Sequence, residues 1–152
     1  MFALTRAGFA VAIAAALFAV APFAAKAADK PFQDSDLADS AVQLEGQIKS
    51  DAGAATKPAA QIRKDADSTF AKNDFRTGMT LLGQIVAAQP NDATTWLRMA
   101  RTVMQIRPVN DQERATLLDR ASTAAYIAYV RTTNRNEEAD SLALLGDVMS
   151  QR

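Results

Sequence analysis

The chain has 152 residues, and its 17 basic and 17 acidic side chains give a formal net charge of zero. It contains neither Cys nor His, which excludes disulfides, a Cys nucleophile, a Ser-His pair and the usual His/Cys zinc site. A zero net charge also argues against a nucleic-acid-binding protein, since such proteins carry a basic excess on one face.

Residues 1–27 have the pattern of a secretory signal peptide. Arg6 supplies the positive charge, Gly8–Val20 is an uncharged apolar run, and Ala25-Lys26-Ala27 is a small-x-small cleavage sequence. The apolar run is shorter than the roughly 20 residues that a membrane span needs, which argues against an uncleaved anchor. We therefore predict cleavage after Ala27 and a periplasmic or secreted product that binds neither membrane nor nucleic acid.

The remaining chain is predicted to be helical throughout, because apolar residues recur at intervals of three and four and no stretch alternates as a strand does. A first helix begins near Asp34-Ser35-Asp36 and ends at Asp51-Ala52-Gly53, before a linker at residues 51–57. Its apolar face consists of Leu37, Ala41, Leu44 and Ile48.

Turn residues divide the next segment into three helices. The second helix begins near Pro58, and Lys72-Asn73-Asp74 forms a tight turn in which Asp74 caps the third. Pro90 stops the third helix, Asp92 caps the fourth, and Pro108 closes it. The inward residues predicted for the third helix are Phe75, Met79, Leu82 and Val86, and those for the fourth are Trp96, Met99, Ala100 and Val103.

Two further helices complete the chain. Asn110 and Glu113 resemble a capping box before a fifth helix at Asp111–Arg131, whose wide apolar surface predicts contacts on two sides. The sixth helix follows Asn134 and carries an apolar face that no later helix covers. This face consists of Leu142, Leu145 and Met149. We therefore expect the chain to be the front end of something longer, in preference to a sixth helix folded back on the fifth.

A repeat appears when Ala59 is aligned with Ala93, because Ile62 then falls on Trp96 and Ala66 on Ala100. The turn at residues 73–75, with Gly78, Leu82 and the closing Pro90, resembles the tetratricopeptide repeat. The predicted fold class is all-α, with antiparallel helical hairpins in a tetratricopeptide-like array; an irregular helical bundle is the alternative. The predicted domains are the signal peptide at 1–27, an N-terminal helix and linker at 28–57, and repeats at 58–152 with an incomplete last hairpin.

Five segments of the mature chain together resemble the N-terminal region of secreted bacterial alpha-2-macroglobulin-like proteins. They are Phe32–Lys49, Lys72–Met79, Thr95–Pro108, Leu117–Thr132 and Glu138–Asp147. The resemblance implies a non-catalytic front segment of a large periplasmic protease trap, in which a bait region and, in many members, a Cys-Gln thioester act elsewhere. Since this chain has no Cys, no thioester lies within it. The alternative is a stand-alone periplasmic tetratricopeptide adaptor that binds a partner peptide or protein.

Candidate binding residues follow from the repeat resemblance, because the first helix of each hairpin lines the groove of a tetratricopeptide array. These residues are Arg63, Asp67, Phe70, Leu97, Arg101 and Met104. An Arg side chain holds a carboxylate bidentately, so Arg63 and Arg101 are candidates to grip an extended acidic peptide. Ordinary surface charge is the alternative interpretation.

Other polar and aromatic residues favour structural roles. A third and weaker hypothesis is a hydrolase that uses two of the carboxylates at Asp65, Asp67, Glu137, Glu138 and Asp140, although acidic side chains at a helix start usually serve the helix dipole. Trp96 is predicted to be core in preference to a ligand-stacking ring. We assign no catalytic residue, no metal ligand and no cofactor.

Overall fold

The computed structural model describes residues 26–27, 30–52 and 57–151, and most of the predicted signal peptide lies outside them. The described residues form α-helices and contain no strand, which confirms the all-α prediction. The helices are α1 Ser35–Ala52, α2 Ala59–Phe70, α3 Phe75–Ala88, α4 Ala93–Val103, α5 Asp111–Arg131 and α6 Arg135–Met149.

Side-chain oxygens cap the starts of α3, α4 and α5 as the sequence predicts. Asp74 accepts from the backbone N–H of Thr77 at 3.1 Å, and Asp92 accepts from that of Thr95 at 3.1 Å. Each bond satisfies a donor that the first helical turn leaves without a partner. At α5, Asn110 accepts from the N–H of Glu113 at 2.8 Å.

From α2 to α6, each helix packs on the next one along the chain. The α2–α3 and α4–α5 pairs are hairpins, α6 packs on α5 and α4, and α1 packs across α3 and α5. Every residue from Ala121 to Arg131 of α5 is buried, since α5 contacts α4 and α6 as well as α1. The predicted contacts of this helix on two sides are thereby confirmed.

The prediction that no helix covers the apolar face of the sixth helix is wrong for Leu145, because α6 packs on α5 and α4 and buries this side chain. The buried stripe of α6 is Ser141, Leu145 and Val148, which follow one another at intervals of four and three. Leu142 and Met149, predicted to share the apolar face with Leu145, are 37 % and 44 % exposed. Ser141 is tolerated in this buried stripe because its hydroxyl donates to the Glu137 carbonyl within the helix at 2.7 Å.

A close approach of two helices depends on Gly78 in α3. A Cβ atom at this position would overlap the ring of Phe70, which stacks on Phe75 with a centroid distance of 6.3 Å. We expect Gly78→Ala to lower the free energy of unfolding by about 1–3 kcal/mol through overpacking, in spite of the higher helix propensity of Ala.

Gly46 in α1 is the matched control, because a Cβ there would meet no atom within 4 Å. Gly46→Ala should raise the free energy of unfolding by about 0.5–1 kcal/mol. Urea denaturation of both variants measures the difference, and a Gly78→Ala variant as stable as Gly46→Ala would contradict the close packing.

Candidate functional site

Ion pairs connect α2, α4 and α6 along one surface of the protein. Arg98 of α4 lies 2.5 Å from the carboxylate of Asp67 on α2, and Arg101 lies 2.7 Å from that of Asp140 on α6. We call this surface the α2/α4/α6 face and define it by these four residues. Arg98 and Arg101 share one side of α4 because residues three positions apart are neighbours on a helix.

The predicted groove residues of α2 all lie close to α4. Arg63 donates to the Asp92 carboxylate at 2.5 Å, and Asp67 accepts from Arg98. The guanidinium of Arg98 also lies 4.8 Å from the ring centroid of Phe70, in a cation–π arrangement. Arg98 therefore joins two of the predicted residues, although it is not itself among the predicted binding residues.

The three predicted residues of α4 differ in their placement. Arg101 is exposed and pairs with Asp140. Leu97 is only 4 % exposed and lies in the core, where no ligand reaches it. Met104 is half-buried against the cluster of Val103, Leu118, Ala121 and Val148. The 34-residue alignment placed Leu97 opposite Arg63, but the next residue, Arg98, is the one that faces α2.

Asp92 is the most constrained carboxylate near this face. Burial alone would raise its pKa, but hydrogen bonds from the hydroxyl and N–H of Thr95, together with Arg63, hold its pKa below the ordinary value of 3.8. These bonds are 2.6 Å, 3.1 Å and 2.5 Å long. The carboxylate thus caps α4 and ties α2 to its start.

The lowered pKa of Asp92 predicts a loss of stability in acid. The unfolded chain binds the proton of this carboxyl group more tightly than the folded chain does. The contribution of the Asp92 carboxylate to the free energy of unfolding is therefore fully present above the unfolded pKa of about 4 and is lost as the pH falls through the folded pKa. Asp92→Asn should be less stable at neutral pH but should lose less stability between about pH 5 and pH 3.

Thermal unfolding at several pH values measures this effect, with Asp39→Asn on the exposed side of α1 as the control. An Asp92→Asn variant with the same acid dependence as the unaltered protein would contradict the assignment.

A buried polar cluster lies behind the α2/α4/α6 face. The guanidinium of Arg131, whose side chain is 3 % exposed, lies 2.5 Å from the Glu45 carboxylate of α1. Arg131 also donates to the carbonyl of Pro90, which accepts from the indole N–H of Trp96 at 2.8 Å. Burial lowers the pKa of Arg131, and the charge of Glu45 opposes that shift. The cluster joins α1, the turn before α4, α4 and the end of α5.

The segment before α1 docks at the same end of α5. The N–H of Phe32 donates to the Tyr129 hydroxyl at 2.9 Å, and the Phe32 ring meets Tyr126 and Tyr129 edge-on, with centroids 6.1 Å apart in both cases. Lys30 donates to the Thr132 carbonyl at 2.9 Å. The two tyrosines thus have a packing role.

The carboxylates of the hydrolase hypothesis lie on two helices with α4 between them. Asp65 accepts from Lys57 and Gln61, and Asp67 from Arg98. Glu137 accepts from Thr94 and Thr132, and Asp140 from Arg101. Glu138 lies 3.4 Å from the ammonium group of Lys30, so each of the five carboxylates is held in a separate contact. Within residues 26–27, 30–52 and 57–151, no three carboxylates are grouped as metal ligands would be.

Comparisons of the chain with protein families, curated proteins and solved structures give no match. The resemblance to the alpha-2-macroglobulin proteins therefore stays a prediction. In the part of the chain that the structure describes, no helix combines the length and the apolar character that crossing a membrane requires.

Proposed function

We propose that the chain is a non-catalytic helical module that contacts protein through its α2/α4/α6 face. It serves, on this proposal, as the front segment of a longer periplasmic protein of the alpha-2-macroglobulin type. The helices α2, α4 and α6 take the place of first helices in a tetratricopeptide-like array, and α3 and α5 take that of second helices. Export follows from the predicted signal peptide at residues 1–27.

The observation that carries the protein-contact part of this proposal is the asymmetry of the helical stack, whereas the front-segment part rests on the resemblance of the five sequence segments. α1 packs on α3 and α5 and leaves α2, α4 and α6 without a covering helix among the described residues. The face left open is the one that carries Asp67, Arg98, Arg101 and Asp140. Exposed ion pairs of this kind contribute only about 0–1 kcal/mol each to stability. A partner with charged side chains can therefore replace one member of such a pair at little cost in free energy.

The DNA that follows the codon of Arg152 tests this proposal directly. We expect an open reading frame that continues into β-rich macroglobulin domains with a bait region. An in-frame stop codon, with no macroglobulin-like sequence beyond it, would refute the front-segment assignment.

A stand-alone adaptor for an acidic peptide is the second candidate, and the exposure of two arginines favours it. The Arg63 and Arg101 side chains are 42 % and 55 % exposed although each is paired with an Asp. An incoming carboxylate can therefore reach both guanidinium groups without disturbing the core.

The double variant Arg63→Ala/Arg101→Ala tests the adaptor. Fluorescence anisotropy of a labelled poly-Glu peptide should show saturable binding to the unaltered protein and a loss of about tenfold or more in affinity in the double variant. Arg135→Ala, an exposed change at the start of α6, is the control. Equal affinity of the double variant and the control would remove the adaptor from consideration.

A further inference from the structure

A cleft distinct from the α2/α4/α6 face lies where the last turn of α1 meets α3, the end of α4 and the middle of α5. We call it the α1/α3 cleft, and its volume is about 240 Å³. The side chains of its apolar lining are Ile48, Met79, Met99, Val103, Ile106 and Leu117. The two methionines make this lining adaptable, because a thioether chain adjusts to irregular shapes.

The size of the cleft limits the ligand to a small molecule. Sites for drug-sized ligands measure about 300–1,000 Å³, whereas an apolar cavity of about 150 Å³ is enough for benzene. The α1/α3 cleft therefore accommodates an aliphatic chain of several carbons and excludes a folded peptide segment.

Charged side chains lie at the rim of the cleft. The charged residues there are Arg76 and Arg120, which are basic, and Asp51, which is acidic. Arg76 lies 2.7 Å from Glu113, whose carboxylate also accepts from the N–H of Val109. Arg120 is exposed and forms no ion pair with any residue of the described ranges. Its guanidinium can receive a carboxylate through two parallel hydrogen bonds.

We propose that the α1/α3 cleft binds a medium-chain aliphatic carboxylate. The hydrocarbon chain lies on the apolar lining, and the carboxylate lies at the rim against Arg120. Removal of the chain from water supplies the affinity, and the guanidinium selects the anion over a neutral alcohol of the same length. This site is independent of the protein-binding function proposed above.

Octanoate, used below its micelle concentration, is the probe, and the protein carries 13C-methyl methionine. The methyl resonances of Met79 and Met99 should shift saturably, while those of Met104 and Met149 should stay in place, because the last two lie outside the cleft. The absence of a saturable shift, or equal shifts at all four residues, would overturn the proposal.

Two variants test separately the charge at the rim and the access of the ligand to the apolar lining. Arg120→Gln should weaken octanoate binding about tenfold, whereas Arg114→Gln, an exposed change on the same helix, should leave it unchanged. Thr80→Trp should block the rim of the cleft and abolish octanoate binding. Because Thr80 is exposed, this substitution does not disturb the core.

Octanol is the matched neutral ligand, and we expect it to bind at least about tenfold more weakly than octanoate. Equal affinities for octanol and octanoate, or an unchanged affinity in Arg120→Gln, would contradict the role of the guanidinium and overturn the proposal.

Discussion

Replacement of Trp96 by Ala is expected to lower the free energy of unfolding by about 3–5 kcal/mol, the loss typical of a buried aromatic side chain in a close-packed core. The Trp96 side chain is 1 % exposed and contributes to the main core cluster. Its deletion leaves a cavity between α4 and its neighbours and removes the indole donor from the Pro90 carbonyl. That carbonyl keeps Arg131 as a donor, so the lost packing dominates the effect.

Urea denaturation followed by circular dichroism measures this loss without requiring the indole as a probe. Trp96→Phe is the control, because it keeps an aromatic ring in the core and should lose less stability. A change of less than 1 kcal/mol for Trp96→Ala would show that Trp96 is not buried as described.

Removal of the Glu45 carboxylate should have the second large effect. Glu45→Ala is expected to destabilise the protein by about 3 kcal/mol, because it leaves the charge of Arg131 buried and uncompensated. The contact also connects α1 to α5, so its loss weakens the attachment of the first helix. The exposed pair of Arg101 and Asp140 should contribute no more than about 1 kcal/mol.

The double variant Glu45→Leu/Arg131→Met provides the comparison. Since it removes both charges and leaves apolar side chains of similar size, it should be more stable than Glu45→Ala alone. Denaturant titrations of the single and double variants measure the difference. If Glu45→Ala unfolds at the same denaturant concentration as the unaltered protein, the ion pair is not the buried contact described above.

The sequence predicts most local features of the fold because they depend on neighbouring residues. The caps at Asp74, Asp92 and Asn110 can be read from acceptor side chains that stand just before apolar periodic segments. The limits of α5 follow from Asn110 and from the break after Arg131, and the structure has the same limits.

Contacts between helices distant in the sequence are harder to predict. Arg131 looks like a surface residue at a helix end, and its burial depends on Glu45 and Pro90, which only the tertiary fold brings near. The choice of Leu97 for the groove failed for a similar reason. The 34-residue offset predicts which turn of α4 lies beside α2, but it does not predict which side of that turn faces α2. A shift of one residue changes the direction of the side chain by about 100° around the helix axis.

The proposed function requires that the α2/α4/α6 face contacts protein and that α1 does not. Exposed carboxylates are labelled with a carbodiimide, and the labelled residues are identified by mass spectrometry. The labelling of the protein isolated together with its native partners is compared with the labelling of the chain alone. The Asp67 and Asp140 side chains, 60 % and 55 % exposed, should lose their labelling in the native form, while Asp39 on α1 should keep it. Loss of labelling at Asp39, with Asp67 and Asp140 unchanged, would contradict the claim.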